Sequence, residues 1–463
     1  MIRTNFLNAR EKHMNLNQHR ISFKEKVGYG LGDTASNLYF QMFVNFLLFF
    51  YTDIFGISAA AAGTMLMLSR FWDAINDPMM GIIADRTNTR WGKFRPYLIW
   101  ISGPMAVIGV LTFLTPDLSV TGKLIYAYIT YTLIMMAYTA INIPYSALMG
   151  VLSPNTQERT SVSTYRFVLA FIGTFFVQGL TLPMVKFFGG GNQAKGFPVT
   201  MGIYGVLAIL LFYITFATTR ERVQPPKDQK TSLKNDLKDL TENGPWLILL
   251  VMSIFTLGYI IVRSGTIMYY FKYYIGNEDM ASLFMVTGTA AVIIGVACTQ
   301  WLANTFGKKR IYLIVMGLTS LLTAVFYFIP KEQIKLIFAV NIVITFIMAP
   351  QAPLLWAMYA DTADYSEWKN GRRATGLVFS AATFSQKFGI ALGGGLAGWL
   401  LAMYGFVPNV EQAPETLNGI KMMMSFIPAV GTLIATVAAI FYKLDDNTMK
   451  TIELELKERK ENE

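Results

Sequence analysis

The sequence predicts an all-α polytopic membrane protein with twelve transmembrane helices in two six-helix halves and both termini in the cytoplasm. Three observations predict it. Of 463 residues, 53% are hydrophobic and only 15% charged, with a mean hydropathy of +0.41; soluble domains carry about 25% charged residues. Apolar runs of about 20 residues, long enough to cross a bilayer core of about 30 Å, recur along almost the whole chain. The Lys and Arg residues are sorted to one side of the resulting topology.

In order, the spans read 28–52, 58–84, 97–115, 122–150, 164–188, 197–219, 245–274, 281–304, 311–329, 336–360, 375–404 and 418–441. The longest polar interruption, about 220–243, divides them six and six. The organisation is therefore an arm over 1–27, a first bundle over 28–219, a central cytoplasmic loop over 220–243, a second bundle over 244–442 and a charged tail over 443–463. With both termini inside, the inner segments carry 28 of the 39 Lys and Arg, the outer loops together with the outer ends of the spans seven, and the span interiors four. Two six-helix halves joined by a charged loop describe a transporter of the major facilitator type, in which substrate sits near the midplane.

Several classes fall away. Cys298 is the single cysteine, so no disulfide framework or cysteine metal cluster is expected. His13 and His19 both lie in the arm, so no histidine ligand or histidine base is expected inside the membrane. A net charge of +10 is compatible with nucleic acid, but inward-facing Lys and Arg account for it. The first 20 residues lack the apolar core of a cleaved signal peptide, and Met14 is a plausible start, so residues 1–13 are expected to contribute little.

Ionisable residues within spans cost about 2.5–3.5 kcal/mol each at a helix centre, and they point to function. Asp33 falls in the first span. The second contains Arg70-Phe71-Trp72-Asp73-Ala74-Ile75-Asn76-Asp77-Pro78. The i, i+4 spacing puts Asp73 and Asp77 on one face, where two carboxylates raise each other's proton affinity unless a cation lies between them. A small hard cation or a shared proton satisfies that pair. An Arg70–Asp pair that merely holds helices explains only one carboxylate. Pro78 removes a backbone hydrogen bond beside Asp77.

In the fourth span, Tyr138-Thr139-Ala140-Ile141-Asn142-Ile143-Pro144-Tyr145 sets polar atoms at a Pro interruption, as binding sites in transporters do. Arg166 begins the fifth, where it lines a cavity or snorkels to the interface. Arg263, beside Ser264 and Gly265, makes a structural salt bridge or contacts substrate. In the tenth, Gln351, Trp356 and Tyr359 lead into the acidic turn with Asp361 and Asp364; this inventory suits a polyol. Lys387, flanked by Thr383, Ser385 and Gln386, reads as a cavity wall. The loop holding Asp85, Arg86 and Arg90, and the turn Gly307-Lys308-Lys309-Arg310, either gate the cytoplasmic side or are ordinary inward positive charge. Arg70, Asp85, Arg86, Arg90, Asp361, Asp364 and Arg263 form the gating or structural set.

These residues carry a resemblance. Lys26-Val27-Gly28-Tyr29-Gly30-Leu31-Gly32-Asp33, Tyr51-Thr52-Asp53, Trp72-Asp73-Ala74-Ile75-Asn76-Asp77-Pro78 and Arg90-Trp91-Gly92-Lys93-Phe94-Arg95-Pro96, with the turn from Asp361 to Lys369, resemble the glycoside–pentoside–hexuronide cation symporters, the melibiose permease group. The resemblance implies a cation site at Asp73 and Asp77, completed by Thr139 with Asn142 nearby. It also implies sugar contacts at Asn37, Asn142, Arg166 and Lys387; the aromatic patches of the fourth and tenth spans add Tyr145 and Trp356. The chain departs from the melibiose permease pattern at Ser36, Asn37, Asn142, Ser146 and Ala352, where that permease has other residues, including two aspartates. Asparagine bonds hydroxyls without supplying charge, so the cavity is expected to be more positive, favouring a neutral pentoside or glycoside or an anionic hexuronide.

The expected activity is import of such a sugar coupled to Na⁺ or H⁺ by alternating access, in the cell inner membrane. No enzyme activity and no cofactor besides the coupling cation are expected. The partners are sugar, cation and bilayer, with no nucleic acid. The rival readings are a lysolipid or lipid-headgroup transporter of the same fold and an uncoupled sugar uniporter.

Overall fold

The computed structural model describes residues 21–153, 156–222, 241–370 and 375–462. His13, His19 and Met14, and all but the ends of the central loop, lie outside them. Helices dominate the described residues, and a single isolated bridge joins Thr89 and Gly92.

The chain forms two compact units, one of Met1–Met42 with Trp72–Gln229 and the other of Phe43–Phe71 with Lys230–Glu463. In the first, α1 (Phe23–Met42) leads into the later half of α2 (Ala59–Arg86), followed by α3 (Pro96–Trp100), α4 (Ser102–Thr112), α5 (Val120–Leu152), α6 (Thr156–Gly189) and α7 (Gln193–Thr218). The α1 helix packs along α6 and α7, and α4 lies against α7 and α5. Local chemistry sets the starts: Ser119 accepts from the Gly122 N–H at the head of α5, and Asn192 from the Lys195 N–H at the head of α7.

In the second unit the chain widens into π-helical turns at Phe43–Leu47 and Phe50–Phe55 before the first half of α2. Then come α8 (Gly244–Tyr269), a π-helical turn at Tyr270–Ile275, α9 (Met280–Ala297), α10 (Thr299–Phe306), α11 (Lys308–Val325) and α12 (Ile334–Met348). They are followed by α13 (Gln351–Asn370), α14 (Thr375–Met403), α15 (Pro414–Met424), α16 (Phe426–Ile440) and α17 (Asp446–Asn462). The α8 helix packs along α14 and α16. The start of α2 lies against α14 with almost no side chain between them. A Cβ on Gly398 would come within 2.4 Å of the Ala59 carbonyl oxygen and 2.6 Å of the Gly63 Cα, the close approach that small residues permit in membranes.

Eight described helical stretches are long and apolar enough to cross a bilayer. The predicted spans 28–52, 58–84, 97–115 and 375–404 fall on the remaining helices. Among these, α1 and α2 carry Asp33, Asp73 and Asp77, and the span 97–115 is broken at Ile101 into α3 and α4. The span 418–441 is broken too, at Ser425 with φ −133° and ψ −94°. Pro428 explains that break, because it lacks the N–H that would bond the Met424 carbonyl in a continuous helix. Arg263 Nε, on α8, donates to the same carbonyl at 3.4 Å. The predicted tail is largely the helix α17. Met449, Ile452 and Leu456 are buried, Trp368 Nε1 donates to Glu455 at 2.6 Å, and Arg459 donates to the Trp368 carbonyl.

Candidate functional site

Within the first unit, α2 presents Asp73, Asn76 and Asp77 at i, i+3 and i+4, on one side of the helix. Asp73 is buried at 1% exposure, whereas Asp77 is partly exposed. Thr139, on α5, donates its hydroxyl to Asp77 Oδ1 at 3.1 Å. A carboxylate and a hydroxyl thus meet from two helices, with the Asp73 carboxylate one turn back on α2, oxygen donors of the kind hard cations take. Asn76 carries a buried Nδ2 with no hydrogen-bond partner among the described residues. Sequence reasoning passed over it, although its place between the two acids was the available signal. Asn142 donates instead to the Tyr138 carbonyl of its own helix, 3.0 Å away.

A second cluster joins α1 to α6. Arg166 does not snorkel: its Nε donates to Asp33 Oδ2 at 2.5 Å and its Nη2 lies 3.4 Å from Asp33 Oδ1. Its guanidinium carbon stands 5.4 Å from the centre of the Tyr145 ring. Tyr145 is stacked on Tyr29 at 4.6 Å, and each tyrosine hydroxyl donates to the other's backbone carbonyl, at 2.7 and 3.0 Å. The Tyr145 hydroxyl is therefore committed to the backbone, and only its ring faces Arg166. A side chain on Gly32 would strike that ring at 2.5 Å, so glycine is required beside it. One turn along α1, Asn37 Nδ2 donates to the Asp33 carbonyl at 3.0 Å, and its Oδ1 is 3.4 Å from the Thr174 hydroxyl.

At one end of the same unit, Glu25 forms a two-pronged pair with Arg222 at 2.7 and 2.8 Å, which holds the Arg222 guanidinium above its ordinary pKa. Glu221 accepts from the backbone N–H groups of Lys93, Phe94 and Arg95 at 2.8 to 3.0 Å, sitting where the helix dipole of α3 favours negative charge. Asp85, Arg86 and Arg90 are exposed, and Arg90 lies over the Trp91 ring. Arg70 is counted with the second unit, since the boundary falls between Phe71 and Trp72.

The second unit holds the other sequence-selected residues. Lys387 is half-buried on α14. Next to it, the buried Ser385 hydroxyl lies 3.1 Å from that of Tyr359, whose ring packs against Trp356. Asp361 pairs with Lys308, so the acidic turn meets the basic one that follows α10; Asp364 lies one turn further along α13. Arg263 is buried beneath the Phe326 ring. An unforeseen cluster surrounds Asp53, whose side chain is fully buried. It accepts from Lys272 at 2.8 Å, from Tyr273 and from Thr52 at 2.7 Å. Asn409, at a left-handed φ of 59°, accepts from Lys272 and donates to Tyr273 and to the Asp53 carbonyl.

The family model described as MFS/sugar transport protein matches residues 28–446. Inner membrane symporter YicJ of Escherichia coli (strain K12) is 39% identical over 435 residues, 93% of this chain and 94% of that one. The isoprimeverose transporter of Lactiplantibacillus pentosus is 37% identical over 453 residues, covering 96% and 94%. The chain belongs to the glycoside–pentoside–hexuronide cation symporter family. Among solved structures, a D-xylose–proton symporter shares the fold of this family member, with a TM-score of 0.66 at 13% identity over 91% of this chain and 97% of that one. The family member is a multi-pass protein of the inner membrane and a sugar transporter of the major facilitator type.

Proposed function

We propose that this transporter couples uptake of a glycoside, pentoside or hexuronide to Na⁺ or H⁺ by alternating access. Twelve helices cross the membrane and both termini lie in the cytoplasm. The observation that carries the reading is the Thr139 hydroxyl of α5 bonded to Asp77 on α2, one turn after Asp73. A cation or proton there removes the repulsion between two close carboxylates. Coupling then follows when the ion favours the state that binds sugar, because linkage between two ligands is reciprocal. Arg166 and Asn37 in the first unit, and Lys387 in the second, are the proposed sugar contacts. The name of the relative that transports isoprimeverose supports a xylose-containing glycoside as the first substrate to try.

The test is uptake into vesicles of labelled isoprimeverose, a xyloside and a glucuronide, under an imposed Na⁺ or H⁺ gradient, by wild type and Asp77→Asn. Accumulation driven by one gradient and lost in the variant is the expected result. Equilibration without accumulation, equal in both proteins, makes the chain a uniporter. Absence of uptake for every sugar moves the lipid-headgroup reading to the front.

A further inference from the structure

The face that α1 turns to α6 is a ladder of polar rungs. Asp33, Asn37 and Gln41 recur every four residues on α1, and Arg166 and Thr174 answer them from α6. The upper rungs are pairs of neutral groups: Gln41 Nε2 donates to the Thr174 hydroxyl at 3.2 Å, and that hydroxyl lies 3.4 Å from Asn37 Oδ1. The lowest rung is the ion pair, and it is asymmetric. Asp33 engages the Nε and Nη2 side of the guanidinium, and among the described residues Nη1 has no hydrogen-bond partner. The Arg166 side chain is 24% exposed, against 11% for Asp33. The arginine side chain thus keeps an unpartnered nitrogen and more exposure than the carboxylate that holds it.

Three constraints fix where that edge points. The carboxylate grips one side of a planar, rigid fork. The Tyr145 ring lies beneath the guanidinium, 5.4 Å from its carbon. The ring itself cannot swing, because Tyr145 and Tyr29 are stacked and bonded to each other's backbone in both directions. A free arginine would sample many rotamers, and ordering it on binding would cost affinity. Here the ordering is done before the ligand arrives.

We propose, resting on the sugar-transport reading above, that Asp33 is a positioning residue for sugar recognition: it holds Arg166 side-on so that Nη1 meets a sugar hydroxyl oxygen. The pair offers directional N–H donors, while the carboxylate balances the guanidinium charge, which suits a polyol whose acceptors are neutral. Asp33 itself does not touch the sugar. The role differs from a mere tie between α1 and α6, which would affect folding without setting affinity.

The test measures concentration dependence of uptake by the full-length protein in proteoliposomes, using whichever sugar of the panel wild type takes up fastest, together with the Tm of the purified protein. Asp33→Asn removes the charged grip, and KM is expected to rise about tenfold, the loss of one charge-assisted contact, with Vmax largely kept. Asp33→Glu restores the carboxylate one methylene further out, and KM is expected to return most of the way to wild type. Adding Asp33→Asn to Arg166→Lys is expected to raise KM no further than Arg166→Lys alone. A KM for Asp33→Asn equal to wild type, with only Tm lowered, overturns the assignment and leaves the transport reading intact. Additive KM effects in the double variant overturn it as well. Should Asp33→Asn fail to fold, Asp33→Ser, which also lacks the charged grip, carries the test: a raised KM supports the assignment, and a lowered Tm with unchanged KM overturns it. Wild type that takes up no panel sugar overturns both readings together.

Discussion

Two buried acids begin the chain's course through the molecule, and they are finished in different ways. Among the described residues, Asp33 in the first unit has one cationic partner, which grips it through Nε and Nη2. Asp53 in the second unit is fully buried and accepts from Lys272, Tyr273 and Thr52, while Asn409 bonds both Lys272 and Tyr273. Around Asp53 the donors bond one another as well as the carboxylate, whereas around Asp33 the guanidinium bonds, among the described residues, the carboxylate alone. Burying a charge costs several kcal/mol, recovered only when geometry and further hydrogen bonds are good. A cluster cross-linked through several partners is a structural fastening. One held by a single pair is where the proposed sugar contact falls.

The largest effect expected from this contrast is at Asp53. Asp53→Ala strands Lys272 beside the Phe49 and Tyr273 rings, and breaking a buried pair costs about 3–5 kcal/mol. Thermal unfolding in detergent should show a drop in Tm far larger than for Asp33→Asn, and Asp53→Asn paired with Lys272→Met should recover part of it. Equal drops for the two acids would break the comparison.

Next comes Asn409, which holds a left-handed backbone conformation. Asn409→Ala loses its side-chain hydrogen bonds to Lys272 and the Asp53 carbonyl and keeps the strained φ, for a loss of about 2 kcal/mol. Asn409→Gly loses the same bonds but not the strain, and should cost less by about 1 kcal/mol. Tm measurements on the two variants decide the order.

The smallest effect is a control outside both clusters. Asp445 caps α17, accepting from the Thr448 N–H at 2.9 Å and from its hydroxyl at 2.7 Å, and these bonds hold its carboxyl below the ordinary value of 3.8. A lowered folded-state pKa stabilises above the unfolded value, and that stability is lost as pH falls through the folded one. Asp445→Ala should therefore cost about 1 kcal/mol at neutral pH, with the difference from wild type shrinking below pH 3.8. Sugar KM should not move.

The fold was largely legible because apolar runs of membrane length need no knowledge of partners. The break at Ser425 was in principle legible too, since Pro428 cannot donate to Met424. The acids of α2 stood out because charge inside a membrane demands a reason. What stayed hidden was the partnership. Arg166 meets Asp33 across 133 positions, and Asn409 meets the Asp53 carbonyl across 356. No local periodicity reports such distances. Asn142 shows the converse: its residue type suits sugar, yet its Nδ2 bonds the Tyr138 carbonyl of its own helix. Type and position can mark a candidate, but only packing decides which lone pair or proton is left over.

The contact between α2 and α14 has a mechanical meaning of its own. Ala59 and Gly63 lie directly on Gly398, so the two rods meet along a smooth track with few interlocking teeth. Such a track resists being pulled apart, because many atoms are in van der Waals reach, yet it offers little friction to sliding lengthwise. The Trp399 indole crosses it as a pin, donating to the Thr64 hydroxyl at 3.0 Å. A methyl group added at Gly398 would act as a wedge between the two rods.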